Sequence, residues 1–103
     1  MKNFKDTLAT FENIDNIKEI KLFNVHGYES GNILNKPGTE GSIKLYHHLF
    51  LVFGELNTIA ATEGLDLYCE HVDEAKNNPG KHPNIDRLLD IIKTKESLKI
   101  EII

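Results

Sequence analysis

Three features of the sequence predict a small α+β protein, in which an antiparallel sheet (an N-terminal hairpin plus a C-terminal strand) packs against about three to four helices. Strand-like apolar alternation occurs towards the two ends, apolar residues at helical spacing fill the middle, and Gly- and Pro-rich breaks separate the two patterns. No strand-helix-strand repetition and no repeat of fixed period is present, so doubly wound and solenoid folds are not expected. The 103 residues fit one domain, 1–103, around one core. A chain of this size can bury about two thirds of its unfolded surface, so neither a disulfide nor a metal is required as a staple.

Each element follows from local chemistry. Phe4, Leu8 and Phe11 share a helical face and Asn3 can cap it, which predicts a short amphipathic helix at the start. After the polar break Asn13 to Asn16, the run from Ile20 to Val25 reads as a strand. It turns at His26-Gly27 into a second extended run towards Leu34. The loop from Asn35 to Gly41 interrupts both periodicities and introduces a helix from Ser42 to Phe53. That helix is apolar around most of its circumference, with Lys44, His47 and His48 as the polar strip.

Gly54 suits the left-handed residue that ends a helix, Asn57 or Thr58 can cap the next one, and Gly64 should end or bend it. From Leu65 to Lys76, the stripe Leu65, Tyr68, Val72 and Ala75 faces the core, while Asp66, Glu70, Asp73 and Glu74 face away. Asn77-Asn78-Pro79-Gly80 is a turn. His82-Pro83 then opens a last helix, with Ile85, Leu88, Leu89 and Ile92 inward up to about Thr94. Leu98, Ile100 and Ile102 alternate with Lys99 and Glu101, the pattern of a half-buried strand. It can pair with either hairpin strand, leaving a sheet edge open for a homodimer.

Composition excludes several classes of partner. A formal net charge of -4 argues against nucleic acid, because phosphate binding is dominated by lysine and arginine. The longest uninterrupted apolar run is Leu49 to Phe53, and the segment Met1 to Phe11 holds no signal-like run, so no membrane association or targeting is expected. The single cysteine, Cys69, cannot close an intrachain disulfide and fits a reducing, cytoplasmic setting.

Each candidate site has a plainer reading beside it. Gly38-Thr39-Glu40-Gly41-Ser42 precedes a helix and invites a phosphate. A P-loop, however, needs four residues between its glycines and a following lysine, and Glu40 would repel an anion, so a turn capped by Ser42 is preferred. Glu70, His71, Asp73, His82 and Asp86 combine imidazole with carboxylate, as zinc sites do, but without a ligand spacing. The plainer reading makes His82 a helix cap and packs His71 beside Tyr68, and no metal or cofactor is assigned. His47 and His48 diverge by about 100° on a helix and suit a solvated strip better than a shared catalytic target. Cys69 has no base beside it in sequence and reads as inert and buried. Arg87, the only arginine, lies near Asp86 and Asp90. Its planar fork suits a carboxylate or phosphate; the plainer role is an ion pair tying the Pro79 to Pro83 loop to the acidic helix. The carboxylates from Glu55 to Glu74, with only Lys76 to balance them, read as a solvated face.

Ala60, Ala61, Gly64, Leu65, Glu70, His71 and Ala75, and above all the run from Asn78 through Lys81-His82-Pro83-Asn84-Ile85-Asp86-Arg87 to Leu88, resemble a family of small uncharacterised bacterial proteins of about this length, classed as a domain of unknown function. The resemblance spans nearly the whole chain. It implies a bacterial cytoplasmic protein and transfers no substrate, cofactor or catalytic residue. Because no catalytic constellation is complete, the expected function is a non-catalytic binding or regulatory module, forming a homo-oligomer. It would hold a small anion or protein partner near His71, His82, Asp86 and Arg87. The competing expectation is a small enzyme or metal-binding protein in which His71 and His82 act with Glu70 or Asp86.

Overall fold

Alternation along the strands builds the sheet in the computed structural model, which describes residues 3–103; the first two residues of the segment read for targeting signals lie outside that range. Ile20 and Leu22 of β1 (Glu19–Phe23), Ile33 of β2 (Glu29–Leu34), and Leu98 and Ile100 of β4 (Leu98–Ile102) form one buried face. The strand order is β2-β1-β4-β3, with every neighbouring pair antiparallel. β4 therefore lies beside β1, pairing Ile20 with Ile102 and Leu22 with Ile100. On the outer face Lys21 stands opposite Glu101, a favourable cross-strand pair. The hairpin turns earlier than its apolar run suggests: Asn24 Oδ1 accepts from the N–H groups of His26 and Tyr28, and Val25 is exposed at the tip.

The helices cover the buried face of the sheet. α1 (Phe4–Leu8) is capped by Asn3, whose Oδ1 accepts from Asp6 N at 2.8 Å. α2 (Glu40–Phe53) begins two residues before Ser42, so the expected Ser42 cap is displaced. Thr39 holds the cap position without capping, because its hydroxyl donates to the carbonyls of Leu34 and Lys36 instead. α2 ends at Gly54, with φ +79°, as expected. It buries Ile43, Leu45, Tyr46 and Leu49 but exposes Leu51 and Val52 at 55% and 58%, so its burial is one-sided rather than all-round.

β3 (Glu55–Leu56) is not expected from the sequence; it adds two residues beside β4, pairing Glu55 with Lys99. α3 (Thr58–Tyr68) is capped by Asn57 and passes straight through Gly64. Gly64 does not end the helix; it is a contact point. A Cβ there would lie 2.8 Å from Leu88 Cδ1 and 3.0 Å from Leu49 Cδ1, so the missing side chain lets three helices meet. The break falls at Cys69, with φ +55°, and divides the expected Leu65 to Lys76 helix between α3 and α4 (His71–Asn77). α5 (Pro83–Thr94) starts where the proline predicts and buries Ile85, Leu88 and Ile91. Full burial of each such side chain contributes about 1.5–3 kcal/mol.

Ile14 and Ile17, between α1 and β1, close the same core. Asn35 Nδ2 donates to both of their carbonyls, at 3.3 and 2.8 Å. Among the described residues, no helix is long and apolar enough to cross a membrane.

Candidate functional site

The first turn of α2, the end of α3 and the turn into α5 surround a cleft of about 320 Å³. Its polar wall is Gly41, Ser42, Tyr68, His71, Lys81 and His82; its apolar wall is Phe4, Pro83 and Ile85. Gly41 is what lets α1 approach, since a Cβ there would sit 2.9 Å from the Phe4 ring and 3.1 Å from Leu8. Phe4 then stacks on Tyr68 at 5.0 Å and meets His71 edge-on at 5.2 Å. Its backbone N–H donates to Glu70 Oε1 at 2.9 Å. That bond, after one from Glu70's own N–H, holds the Glu70 carboxyl below the ordinary carboxylate range.

The Tyr68 hydroxyl lies 2.7 Å from Ser42 Oγ. Burial pushes the Tyr68 phenol well above its ordinary value, with Tyr46 adding to the shift. Glu74, on α4, holds the cationic end of the cleft: its Oε1 is 2.5 Å from Lys81 Nζ and 3.5 Å from His82 Nε2. The Lys81 contact, more than His82, holds the Glu74 carboxyl below its ordinary range. His82 Nε2 is close enough to Glu74 for an ion pair, yet it is buried and lacks hydrogen-bond geometry to any partner among the described residues. The His71 and His82 rings lie 6.0 Å apart. Among the described residues, no aspartate or glutamate lines the cleft.

The residues anticipated from sequence divide between two places. His71 and His82 line the cleft, whereas Asp86 and Arg87 line a separate groove of about 500 Å³ together with Asp90, Lys93 and Glu96. His82 sits at the α5 cap position but contributes its backbone carbonyl, not its ring. Asp86 accepts from Gly80 N at 2.9 Å and so fixes the turn instead of meeting His82. Arg87 makes no ion pair among the described residues. Its Nη1 donates to Tyr46 Oη at 3.1 Å and Asn84 Oδ1 at 2.9 Å, and the guanidinium lies against Gly31. The tie from the turn to the acidic helix, expected of Arg87, is made by Lys81 and His82 to Glu74. Tyr46 also donates to Asn84 O at 2.5 Å, and burial, opposed by Arg87, pushes its phenol up to about 12.

Neither His47 nor His48 lines the cleft, and His48 is stacked on Phe11 at 4.1 Å rather than solvated. Cys69 is half-buried, not fully buried, with Thr7 Oγ1 3.9 Å from its sulfur. Among the described residues, no group of three or more His, Cys, Asp or Glu side chains is gathered so as to hold a metal ion. Glu70 and Asp86 spend their carboxylates on backbone N–H groups instead. Sequence reasoning misses Ser42, Tyr68 and Lys81 as members of one site. Tyr68 reads as core from its stripe, and Lys81 stands out only as part of a turn.

Residues 4–102 match the sequence profile of a family described as an uncharacterized protein conserved in bacteria, DUF2322. No curated protein and no solved structure matches the chain.

Proposed function

This chain belongs to the bacterial DUF2322 family, whose description carries no activity, and we propose that it is a non-catalytic binding module that holds a small anion in the cleft. The observation that carries this reading is a donor-rich wall: Lys81, His71, the Ser42–Tyr68 hydroxyl pair, and Gly41 and Ser42 of the first turn of α2, whose acidic member, Glu40, is not among the lining residues. That turn is left uncapped by the Thr39 side chain, and Thr39, Gly41 and Ser42 at the positive end of this 14-residue helix line the cleft. The volume of about 320 Å³ falls at the small end of the range for small-molecule sites.

A binding role also accounts for what the groups do to one another. The partner of Ser42 is a phenol that burial keeps protonated, so Tyr68 is not a base able to activate the hydroxyl. Titration with inorganic phosphate or benzoate, followed by backbone amide NMR, should move the resonances of Gly41, Ser42, His71 and Lys81. Lys81→Ala should weaken binding about fivefold, the worth of one exposed charged contact of about 1 kcal/mol. Absence of shifts at millimolar anion, or unchanged affinity in Lys81→Ala, would remove the reading.

The same proposal includes a cytoplasmic homodimer joined at the sheet edge, for which β2, with six residues and a neighbour on one side only, is the available strand. Light scattering that finds a strict monomer at millimolar concentration would exclude the dimer.

A further inference from the structure

At the cationic end of the cleft a single oxygen, Glu74 Oε1, lies 2.5 Å from Lys81 Nζ and 3.5 Å from His82 Nε2. Lys81 and His82 line the cleft; Glu74 does not. The Lys81 ammonium and the His82 ring nitrogen are thus arranged around one carboxylate oxygen that reaches them from outside. His82 Nε2 is buried and, among the described residues, has no hydrogen bond of its own to give up. An anion entering the cleft must share these donors with Glu74 or take its place.

Resting on the anion-binding reading above, we propose that the ligand is a small monocarboxylate with an apolar tail, and that Glu74 is the residue that selects it against phosphate. The Glu74 side chain is 40% exposed, so it can swing into solvent when displaced, but its charge stays tethered beside the site. Repulsion from that charge scales with the charge of the ligand. At about 5 Å in a water-like dielectric it lowers affinity about fourfold per unit charge. A carboxylate carries one negative charge and phosphate about 1.5–2 at neutral pH, so phosphate is penalised about tenfold. The wall of Phe4, Pro83 and Ile85 gives a carboxylate's tail something to cover, whereas inorganic phosphate leaves it bare.

The test is titration of the full chain and of Glu74→Gln with benzoate and with inorganic phosphate at low ionic strength, by calorimetry and amide NMR. The wild-type protein should bind benzoate more tightly than phosphate. Glu74→Gln should bind benzoate about fourfold and phosphate about tenfold more tightly, and these differences from the wild type should shrink in molar salt. Glu74→Ala, checked for fold by circular dichroism, should change both constants in the same direction. If removing the carboxylate leaves both constants unchanged or weakens both, Glu74 merely positions Lys81, and the selectivity proposal is overturned while the anion site stands. Tighter binding of phosphate than benzoate by the wild type overturns the ligand class in the same way. If neither anion moves the resonances of Ser42, Lys81 or His82 in either protein, both readings fall.

Discussion

Replacing Tyr46 with phenylalanine tests the buried contact that joins α2 to α5. The ring is fully buried; its hydroxyl donates to Asn84 O at 2.5 Å and accepts from Arg87 Nη1 at 3.1 Å. Arg87 keeps its bond to Asn84 Oδ1 at 2.9 Å in the variant, and the Asn84 carbonyl lies inside α5, where it also accepts from the helix, so the variant loses two hydrogen bonds without orphaning a group. Two such bonds, each worth about 1 kcal/mol net, give a loss of about 2 kcal/mol. With an unfolding entropy of about 2.1 cal/mol/K per residue, that loss lowers Tm by about 9 °C for a chain of this length.

A second consequence has the opposite sign. Burial raises the Tyr46 phenol from 10.0 to about 12. A group whose folded value is raised contributes stability that is complete below the unfolded value and is lost as pH rises through the folded one. The wild type should therefore lose about 1.4 kcal/mol from this group by pH 11, whereas the Tyr46→Phe variant has no phenol there to titrate. Tyr68 keeps its own alkaline dependence in both proteins. Urea unfolding followed by circular dichroism at pH 7 and pH 11 should show a gap of about 2 kcal/mol that narrows by more than half. A variant within about 0.5 kcal/mol of wild type at pH 7, or a gap that stays constant with pH, would refute the reasoning.

Four further outcomes follow from individual contacts. Gly31→Ala would place a Cβ 2.9 Å from Arg87 Nη2 and should cost about 1–2 kcal/mol in urea unfolding; the cost should vanish in an Arg87→Ala background if the clash is its cause. Gly64→Ala gains about 1 kcal/mol of helix propensity, but it overpacks against Leu88 and Leu49, both fully buried, at about 1–3 kcal/mol. A net loss is expected, and a higher Tm would contradict it. Cys69 holds φ +55° and ψ -121°, a backbone state that glycine adopts without strain, so Cys69→Gly should raise stability by about 1 kcal/mol in thermal unfolding. Glu70 titrates below the ordinary carboxylate range, so its hold on Phe4 is present above that range and lost as pH falls through the lowered value. Hydrogen exchange of the α1 amides should rise at acid pH in the wild type and be less pH-dependent in Glu70→Gln.

What the sequence discloses is what repeats along it. Ile20, Leu22, Leu98, Ile100 and, on α5, Ile85 and Leu88 announce their faces because each has near neighbours of the same phase, whereas Ile92, read as inward, is exposed and Ile91 is buried in its stead. β3 has two residues and therefore no phase, and it becomes a strand only because β4 offers it an edge. The break between α3 and α4 is expected at Gly64, the residue best suited to one, and lies at Cys69 because the glycine is needed where Leu88 and Leu49 come close. At the site, His71 and His82 are legible as chemically unusual residues. Their joining with Ser42 and Tyr68 depends on α1 lying against Gly41, which local periodicity does not encode. Arg87 points in sequence to its neighbours Asp86 and Asp90, whereas one of its partners, Tyr46, lies on another helix.

The place of β4 in the sheet also governs the order in which the molecule can assemble. β1 and β2 are joined by a short turn and can meet at once, but β4 pairs with β1 only after nearly the whole chain has been brought back on itself. Among the described residues β3 pairs with β4 alone, so it must wait for β4. Closure of the sheet is then a late and concerted event, and the protein should fold slowly for its size. Until that event the buried face of the hairpin stands open to solvent, and a chain cut before Leu98 should be a substrate for chaperones rather than a smaller native protein.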